Sequence, residues 1–372
     1  MTNILIDGDI IAIHPGKHIE EYLADEDMTQ TEFAKRLDVS KALVSKLVNG
    51  DAELNEDLIA RLSDVMGTSR EYWRNLNVSY LDKKRQIDNK EQLEKEEEIV
   101  RKIDFSFWTE LGILKPASKA VDKVKQLRKY LNISDLTVLE RPDLLTRYRR
   151  TTNKAQEKNI ISTNAWIQTA INYSKNEHVA KINLNYLTEN LPKIKAMTTQ
   201  DPQIFIPQLR EILAQSGIKF VLLPYLKNSE LNGAVKWINH GENALLMMNN
   251  KLKNSDVFWF SLFHEIKHVY QEKKKIIIIT PSKKTLIDDS TDKVLEDEAD
   301  NFARDYLINE ADYNKFSSDK SNLKRDSIIK FAEKEGIHPG IVVGRLQKDR
   351  IIPYHEFNQL KVRYVFKLQE KQ

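Results

Sequence analysis

Apolar residues recur along this chain with two different periods, and the changes between them divide it. Over residues 1–79 the apolar positions return with the spacing of packed helices. Residues 80–103 are a charge run that contains Lys83-Lys84-Arg85 and Glu94-Lys95-Glu96-Glu97-Glu98, and mixed charge at helical spacing predicts a solvated helix or linker. Residues 104–200 read as several short helices, with clear helical period over Ser118–Leu131 and Trp166–Tyr173. Past residue 201 the pattern alternates. Ile204–Ala214 is helical, Ile218–Leu223, Gly233–Ile238 and Asn243–Met248 read as strands, and Asp256–Tyr270 and Val294–Leu307 read as helices. The run Ile276–Ile279, after Lys273-Lys274-Lys275, fits a strand or hairpin arm, and Ile328–Leu346 is a last helical stretch. A small sheet followed by helices is an α+β arrangement. The fold class is therefore multidomain and mainly α. It comprises an all-α domain over 1–79, a charged linker or helix over 80–103, a helical connecting region over 104–200, an α+β domain over 201–315 and a helical tail over 316–372. The tripeptide His-Pro-Gly occurs at His14 and again at His338, and without a longer shared period it is expected to be chance.

A chain of 372 residues favours more than one core. The net charge is only +3, so any surface for nucleic acid must be local. Cysteine is absent, which excludes disulfides and thiolate metal sites and leaves His, Asp and Glu as metal ligands. Residues Met1–His14 carry Asp7 and Asp9 and no basic segment followed by an apolar one, and no apolar run approaches a membrane span. A cytoplasmic protein with no membrane partner is expected.

Gln30–Leu37 reads as one helix, Asp38-Val39 as a turn, and Ser40 as the N-cap of a second helix, Lys41–Val48. Phe33, Leu37, Val39, Val44 and Leu47 point to one core, and Ala34 sits where the two helices cross. Ser40, Lys41, Ala42, Ser45, Lys46 and Asn49 are left on the open face. These are short, polar or cationic side chains suited to a major groove with phosphates on either side. Gln30 would hold a backbone phosphate at a helix N-terminus. An ordinary helical bundle with a polar face has the same spacing. Residues 14–79 resemble the Xre/Cro family, and within it the HigA antitoxins. The carriers are His14-Pro15-Gly16, Met28 through Ala34, Val39-Ser40, Leu47-Val48-Asn49-Gly50, Gly67-Thr68-Ser69 and Tyr72-Trp73-Arg74-Asn75-Leu76. Asp38 stands in the turn where that family usually has Gly. The resemblance implies a λ-repressor-like fold, a homodimer on palindromic double-stranded operator DNA, repression of its own operon, and a toxin partner.

His264 and His268 lie four apart on the Asp256–Tyr270 helix, one turn apart on one face, which suits two ligands of one tetrahedral metal. Glu265 beside them is placed to move a proton between a water and a leaving amine. A third ligand is expected from Leu295–Ala303, where Glu296 and Asp300 share a face. Glu296 is the first choice and Glu298, about 200° away, the second, with Asp300 holding the far nitrogen of a ligand histidine. Tyr270, Tyr306, His338 and Tyr354 are oxyanion-stabilising candidates by type alone. The strand Asn243–Met248 is a candidate to pair with an extended substrate. Residues 200–310 resemble the ImmA/IrrE zinc metallopeptidases. That resemblance rests on Gly233–Ile238, Phe258–Glu265, His268 and Glu296 through Ala303 with Leu307, and Gly336–Gln347 resembles the tail of helix-turn-helix fusions of that family. It implies Zn2+, a gluzincin-like fold, and cleavage of helix-turn-helix repressors or antitoxins. Ile266-Lys267 departs from the family pattern, which usually ends in Gly, and Lys267 would narrow the cleft if it points inward. The functional expectation is a DNA-binding regulator with a zinc metallopeptidase-like domain. The alternative is an antitoxin or repressor whose second domain senses metal or binds a partner without catalysis.

Overall fold

The computed structural model describes residues 3–142, 144, 154–229, 231–251, 254–271, 278–281, 290–319 and 323–366, the side chains of 154–157, 278–281 and 290–293 aside. The chain forms two compact units, Met1–Glu96 and Glu97–Gln372.

The first unit opens with an antiparallel hairpin, β1 (Ile4–Asp7) and β2 (Ile10–Ile13), with Ile4 opposite Ile13 and Ile6 opposite Ile11. Five helices follow: α1 (Gly16–Asp25), α2 (Gln30–Leu37), α3 (Lys41–Val48), α4 (Glu56–Met66) and α5 (Arg70–Lys102), whose last residues belong to the second unit. The domain expected to be all helical thus begins with a two-stranded sheet. Alternation explains it. Leu5, Ile10 and Ala12 pack on Tyr80 and Ile87 of α5, while Ile4, Ile6, Ile11 and Ile13 face out. The core of α1–α5 is Ile19, Phe33, Leu37, Val44, Leu47, Leu62 and Trp73, all buried. Caps set the helix starts: Thr29 accepts the Glu32 amide at 3.2 Å, Ser40 the Leu43 amide at 3.2 Å and Asn55 the Leu58 amide at 2.9 Å. The charge run from 80 continues α5 rather than starting an element of its own.

The second unit begins with α6 (Ser106–Glu110), α7 (Ala120–Leu131), α8 (Lys154–Tyr173), α9 (Leu184–Ala196) and α10 (Pro202–Gln215). The Trp108 indole donates to Thr169 at 2.9 Å, and the Trp166 indole donates to the Pro224 carbonyl at 2.8 Å. These bonds bind the helical region into the second unit itself. The sheet comprises β3 (Ile218–Leu223), β4 (Leu231–Ile238) and β5 (Asn243–Asn249). Helix α11 (Ser255–Tyr270) and strand β6 (Ile278–Pro281) come next. The strand order is β3-β5-β4-β6, with β3 parallel to β5 and the other pairs antiparallel. The second half of the isoleucine run, from Ile278, lies in β6, and Lys273–Ile277 lie outside the described residues. The strand proposed to receive a substrate, β5, cannot do so. It is buried along its length, and both its edges are hydrogen-bonded, to β3 and to β4.

Four helices complete the unit: α12 (Ser290–Leu307), α13 (Glu310–Ser318), α14 (Arg325–Glu335) and α15 (Pro339–Lys348). The tail expected to be helical is α-helical through Lys348, with a single 3-10 turn at Asn358–Leu360 among the described residues beyond it. Beyond Pro353 the chain runs back along the start of α11. There the Ser255 amide donates to the Val362 carbonyl at 2.8 Å, Lys361 Nζ meets Asp256 Oδ2 at 2.6 Å, and the Trp259 indole donates to Tyr364 at 2.8 Å. The joint between α14 and α15 repeats that between α2 and α3. Asp38 and Gly336 are both left-handed, the Val39 amide donates to Ala34 and the Ile337 amide to Ala332, both at 3.0 Å, and Ser40 and His338 are the N-caps. The two His-Pro-Gly tripeptides make the same local hydrogen bond. In each the histidine Nδ1 accepts the glycine amide, at 2.9 Å for His14 and 3.1 Å for His338, and so begins a helix.

Candidate functional site

In the first unit α3 carries its polar face outward. Ser40, Lys41, Ala42, Lys46 and Asn49 are exposed, and Gln30 and Ser45 are half-buried. Val44, Leu47 and Val48 anchor the opposite face. Among the described residues neither Lys41 nor Lys46 is held in an ion pair, so both cations are free for phosphates. Asn49 Nδ2 lies 3.5 Å from Ser45 Oγ, one turn back on the same face. The turn is held from outside by a residue the sequence reading missed. Arg61 of α4 donates through Nη1 to the carbonyls of Leu37 at 3.0 Å and Asp38 at 3.2 Å, and through Nε to Asp57 at 2.9 Å. It thereby satisfies the last carbonyls of α2, as a basic residue at a helix C-terminus does. Its only signal in the sequence was an arginine four residues after Asp57 on a helix.

In the second unit α11 and α12 bring His264, His268 and Glu296 together, all buried. His264 Nε2 is 2.9 Å from His268 Nε2 and 3.3 Å from Glu296 Oε2, and His268 Nε2 is 3.1 Å from Glu296 Oε1. Three ligand atoms on one tetrahedral zinc at ordinary bond lengths lie about 3.3–3.4 Å apart. The observed spacings match that within a few tenths of an ångström.

The outer nitrogens of both rings face oxygen atoms. His264 Nδ1 faces Asp300 Oδ1 at 2.9 Å. His268 Nδ1 meets Gln271 Oε1 at 2.7 Å, and Gln271 turns its oxygen that way because its Nε2 donates to the Leu295 carbonyl at 2.9 Å. An acceptor thus faces each Nδ1, and each Nε2 is turned inward to the Glu296 carboxylate, the arrangement that leaves Nε2 as the ligand atom when a metal is bound. Burial lowers the His264 imidazole, but Asp300, Glu296 and Glu265 outweigh it and raise it to about 10. Burial raises the Glu296 carboxyl, and the two histidines overcome it and hold the group below the usual range. The donor set thus asks for positive charge at its centre and fits a divalent ion of nitrogen and oxygen preference.

Asp300 sits behind His264, on the α12 face that Glu296 also occupies. Glu298, the second choice, is turned away and lies 3.3 Å from Gln271 Nε2 on the exposed side. Glu265 is fully buried with its carboxylate against Gly233 of β4, where a side-chain carbon would come within 2.3 Å of Oε1. Lys267 lies over the Phe302 ring at 5.9 Å, engaged with α12. Tyr270 bonds Thr188 at 2.8 Å, Tyr306 stacks on Phe263 with centroids 5.1 Å apart, His338 caps α15 and Tyr354 is exposed. Gln271 was missed by sequence reasoning, although it lies three residues after His268 on the same face. Among the described residues no helix is long and apolar enough to cross a membrane.

Residues 19–73 match the helix-turn-helix family model. A relative from Escherichia coli K12, the uncharacterized HTH-type transcriptional regulator YddM, is 34% identical over 66 residues, which are 18% of this chain and 70% of the relative. Two solved structures align with 23% of this chain and 92% of their own. One, from Nostoc punctiforme, is described as an antidote protein of a plasmid maintenance system, with 30% identity and a TM-score of 0.22. The other, from Coxiella burnetii, is described as an addiction module antidote protein of the HigA family, with 33% identity and a TM-score of 0.21. Through its N-terminal unit, the chain belongs to the helix-turn-helix family of transcriptional regulators.

Proposed function

We propose that the chain is a repressor or antitoxin-type regulator whose second unit is a zinc metallopeptidase-like domain acting on a helix-turn-helix repressor or antitoxin. The observation that carries the second half is the convergence of His264 Nε2 and His268 Nε2, 2.9 Å apart, on the Glu296 carboxylate, which meets the first through Oε2 at 3.3 Å and the second through Oε1 at 3.1 Å. Zinc, when bound there, supplies Lewis-acid polarisation of a carbonyl or water. The chain itself supplies the rest. Asp300 and Gln271 orient the imidazoles, the aromatic side chains of α11 exclude water, and Glu265 takes a proton from the attacking water and hands it to the departing amine.

The DNA-binding half rests on the free cations Lys41 and Lys46 and the small residues between them. A homodimer on a palindromic operator is supported by the hairpin. Ile4 with Ile13 and Ile6 with Ile11 form an exposed apolar face that a second copy would cover about a twofold axis. A toxin partner is part of the same reading and follows from the resemblance to HigA antitoxins.

Metal analysis of the purified full chain beside His264→Ala/His268→Ala tests the centre. Near one zinc per chain, absent from the double variant, is the expected result. No metal in either removes the proposal. With zinc present, Glu265→Gln decides the chemistry. Loss of cleavage of a helix-turn-helix repressor supports a peptidase. Equal behaviour of both chains leaves a metal-sensing or partner-binding module.

A further inference from the structure

The carboxylate of Glu265 rests on Gly233, and Gly233 lies on the strand whose outer edge β6 covers. The residue opposite Gly233 on β6 is Thr280, with Ile279 opposite Ala234 and Ile278 opposite Val235. An extended backbone therefore runs along β4 beside the group expected to move protons. An added strand is the way a sheet edge holds an extended peptide without demanding particular side chains.

β6 is also poorly secured in that position. Pro281 has no amide to give the ladder, and the register of β6 with β4 slips between Leu231 and Gly233. That slip is a bulge at Asn232, next to the glycine that touches Glu265, and bulges break pairing locally. By contrast β5 pairs continuously on both sides, six residues with β3 and six with β4. A pairing so interrupted is more easily exchanged than that of β5.

We propose that β6 is the chain's own occupant of a peptide-binding edge on β4, and that the site takes an extended polypeptide segment only after β6 has left it. This rests on the peptidase reading above and deepens it, since it names both the conformation of the substrate and the hold on activity. A peptidase joined to a member of its own substrate class needs such a hold to survive.

The test uses the full chain carrying Glu265→Gln, with and without Ile279→Pro/Thr280→Pro, a pair of adjacent residues of which one must give its amide to the β4 ladder. The probe is a fluorescently labelled peptide with the sequence of residues 273–284. Binding at least tenfold tighter to the proline variant is expected, and equal or weaker binding overturns the proposal. If the proline variant loses its fold by circular dichroism, amide exchange on the parent chain decides. Exchange of 278–281 at least a hundredfold faster than of 243–249 supports the proposal, and equal protection refutes it. The peptidase reading is judged separately. Binding of the peptide without cleavage by the zinc-loaded chain with Glu265 intact removes that reading and leaves the exchangeable strand.

Discussion

The Glu265 carboxylate lies on Gly233, so close that a Cβ at 233 would come within 2.3 Å of Oε1 and 2.6 Å of Cδ. The contact is with a fully buried side chain. Gly233→Ala is expected to displace Glu265 while leaving His264, His268 and Glu296 in place. Zinc content should stay within twofold of the parent, and turnover of a repressor substrate should fall at least tenfold. Unchanged turnover would show that the strand does not position this group.

Gln271 meets the outer nitrogen of His268 without touching the converging atoms. Gln271→Ala should weaken zinc binding by about 10–100-fold, the usual effect of losing a partner behind a ligand. Competition with a chelator of known affinity reads this directly. Asp300→Ala should act in the same range through His264, and the two together should lose more than either alone.

On the reading helix, Lys46→Ala is expected to lower affinity for operator and non-operator DNA alike. It should also reduce the slope of log K against log salt by about 0.9 for each phosphate that Lys46 neutralises. A titration series at several salt concentrations measures both. A weakened affinity with an unchanged slope would place Lys46 off the backbone.

Ser40 begins the reading helix by accepting the Leu43 amide. Ser40→Ala should cost about 1 kcal/mol of stability in thermal unfolding of the first unit. Ser40→Asp, which keeps an acceptor, should recover stability but still bind DNA less well, because it adds a negative charge facing phosphates.

Lys361 and Asp256 hold the chain's last stretch against the start of α11, and both are largely buried. Lys361→Ala leaves a carboxylate uncompensated and is expected to cost about 3 kcal/mol in denaturant unfolding. Lys361→Met with Asp256→Asn should recover much of that. A loss below about 1 kcal/mol for the single variant would make the pair behave as an exposed one.

Much of this was legible along the chain. Helices α2 and α3 fall at Gln30–Leu37 and Lys41–Val48 because the caps Thr29 and Ser40 and the apolar spacing agree. Strand β3 was readable as an apolar run bounded by Gly217 and Pro224. Glu296 could be chosen over Glu298 because helical geometry alone puts it on the face of Asp300. The hairpin also left a signal, which the helical period of the residues after it overrode. Short runs of apolar residues on either side of Gly8-Asp9 are the pattern of a two-residue turn. Strand order was not legible. That β5 is central and β4 carries β6 depends on long-range pairing, which leaves no local trace. Gln271 was hidden for a related reason, since its role is set by a carbonyl 24 residues away.

The joint between α14 and α15 copies the DNA-reading joint and reverses its use. Where α3 presents Lys41, Ala42, Ser45, Lys46 and Asn49, the same places on α15 hold Pro339, Gly340, Val343, Gly344 and Gln347, of which Gly340, Val343 and Gln347 are buried. Gly344 lies against Asp256, where a Cβ would come within 2.4 Å of a carboxylate oxygen. One copy of the motif faces outward and the other is a buttress for the helix that carries His264 and His268. Backbone shape alone would count two readers in this chain, and solvent exposure reduces the count to one.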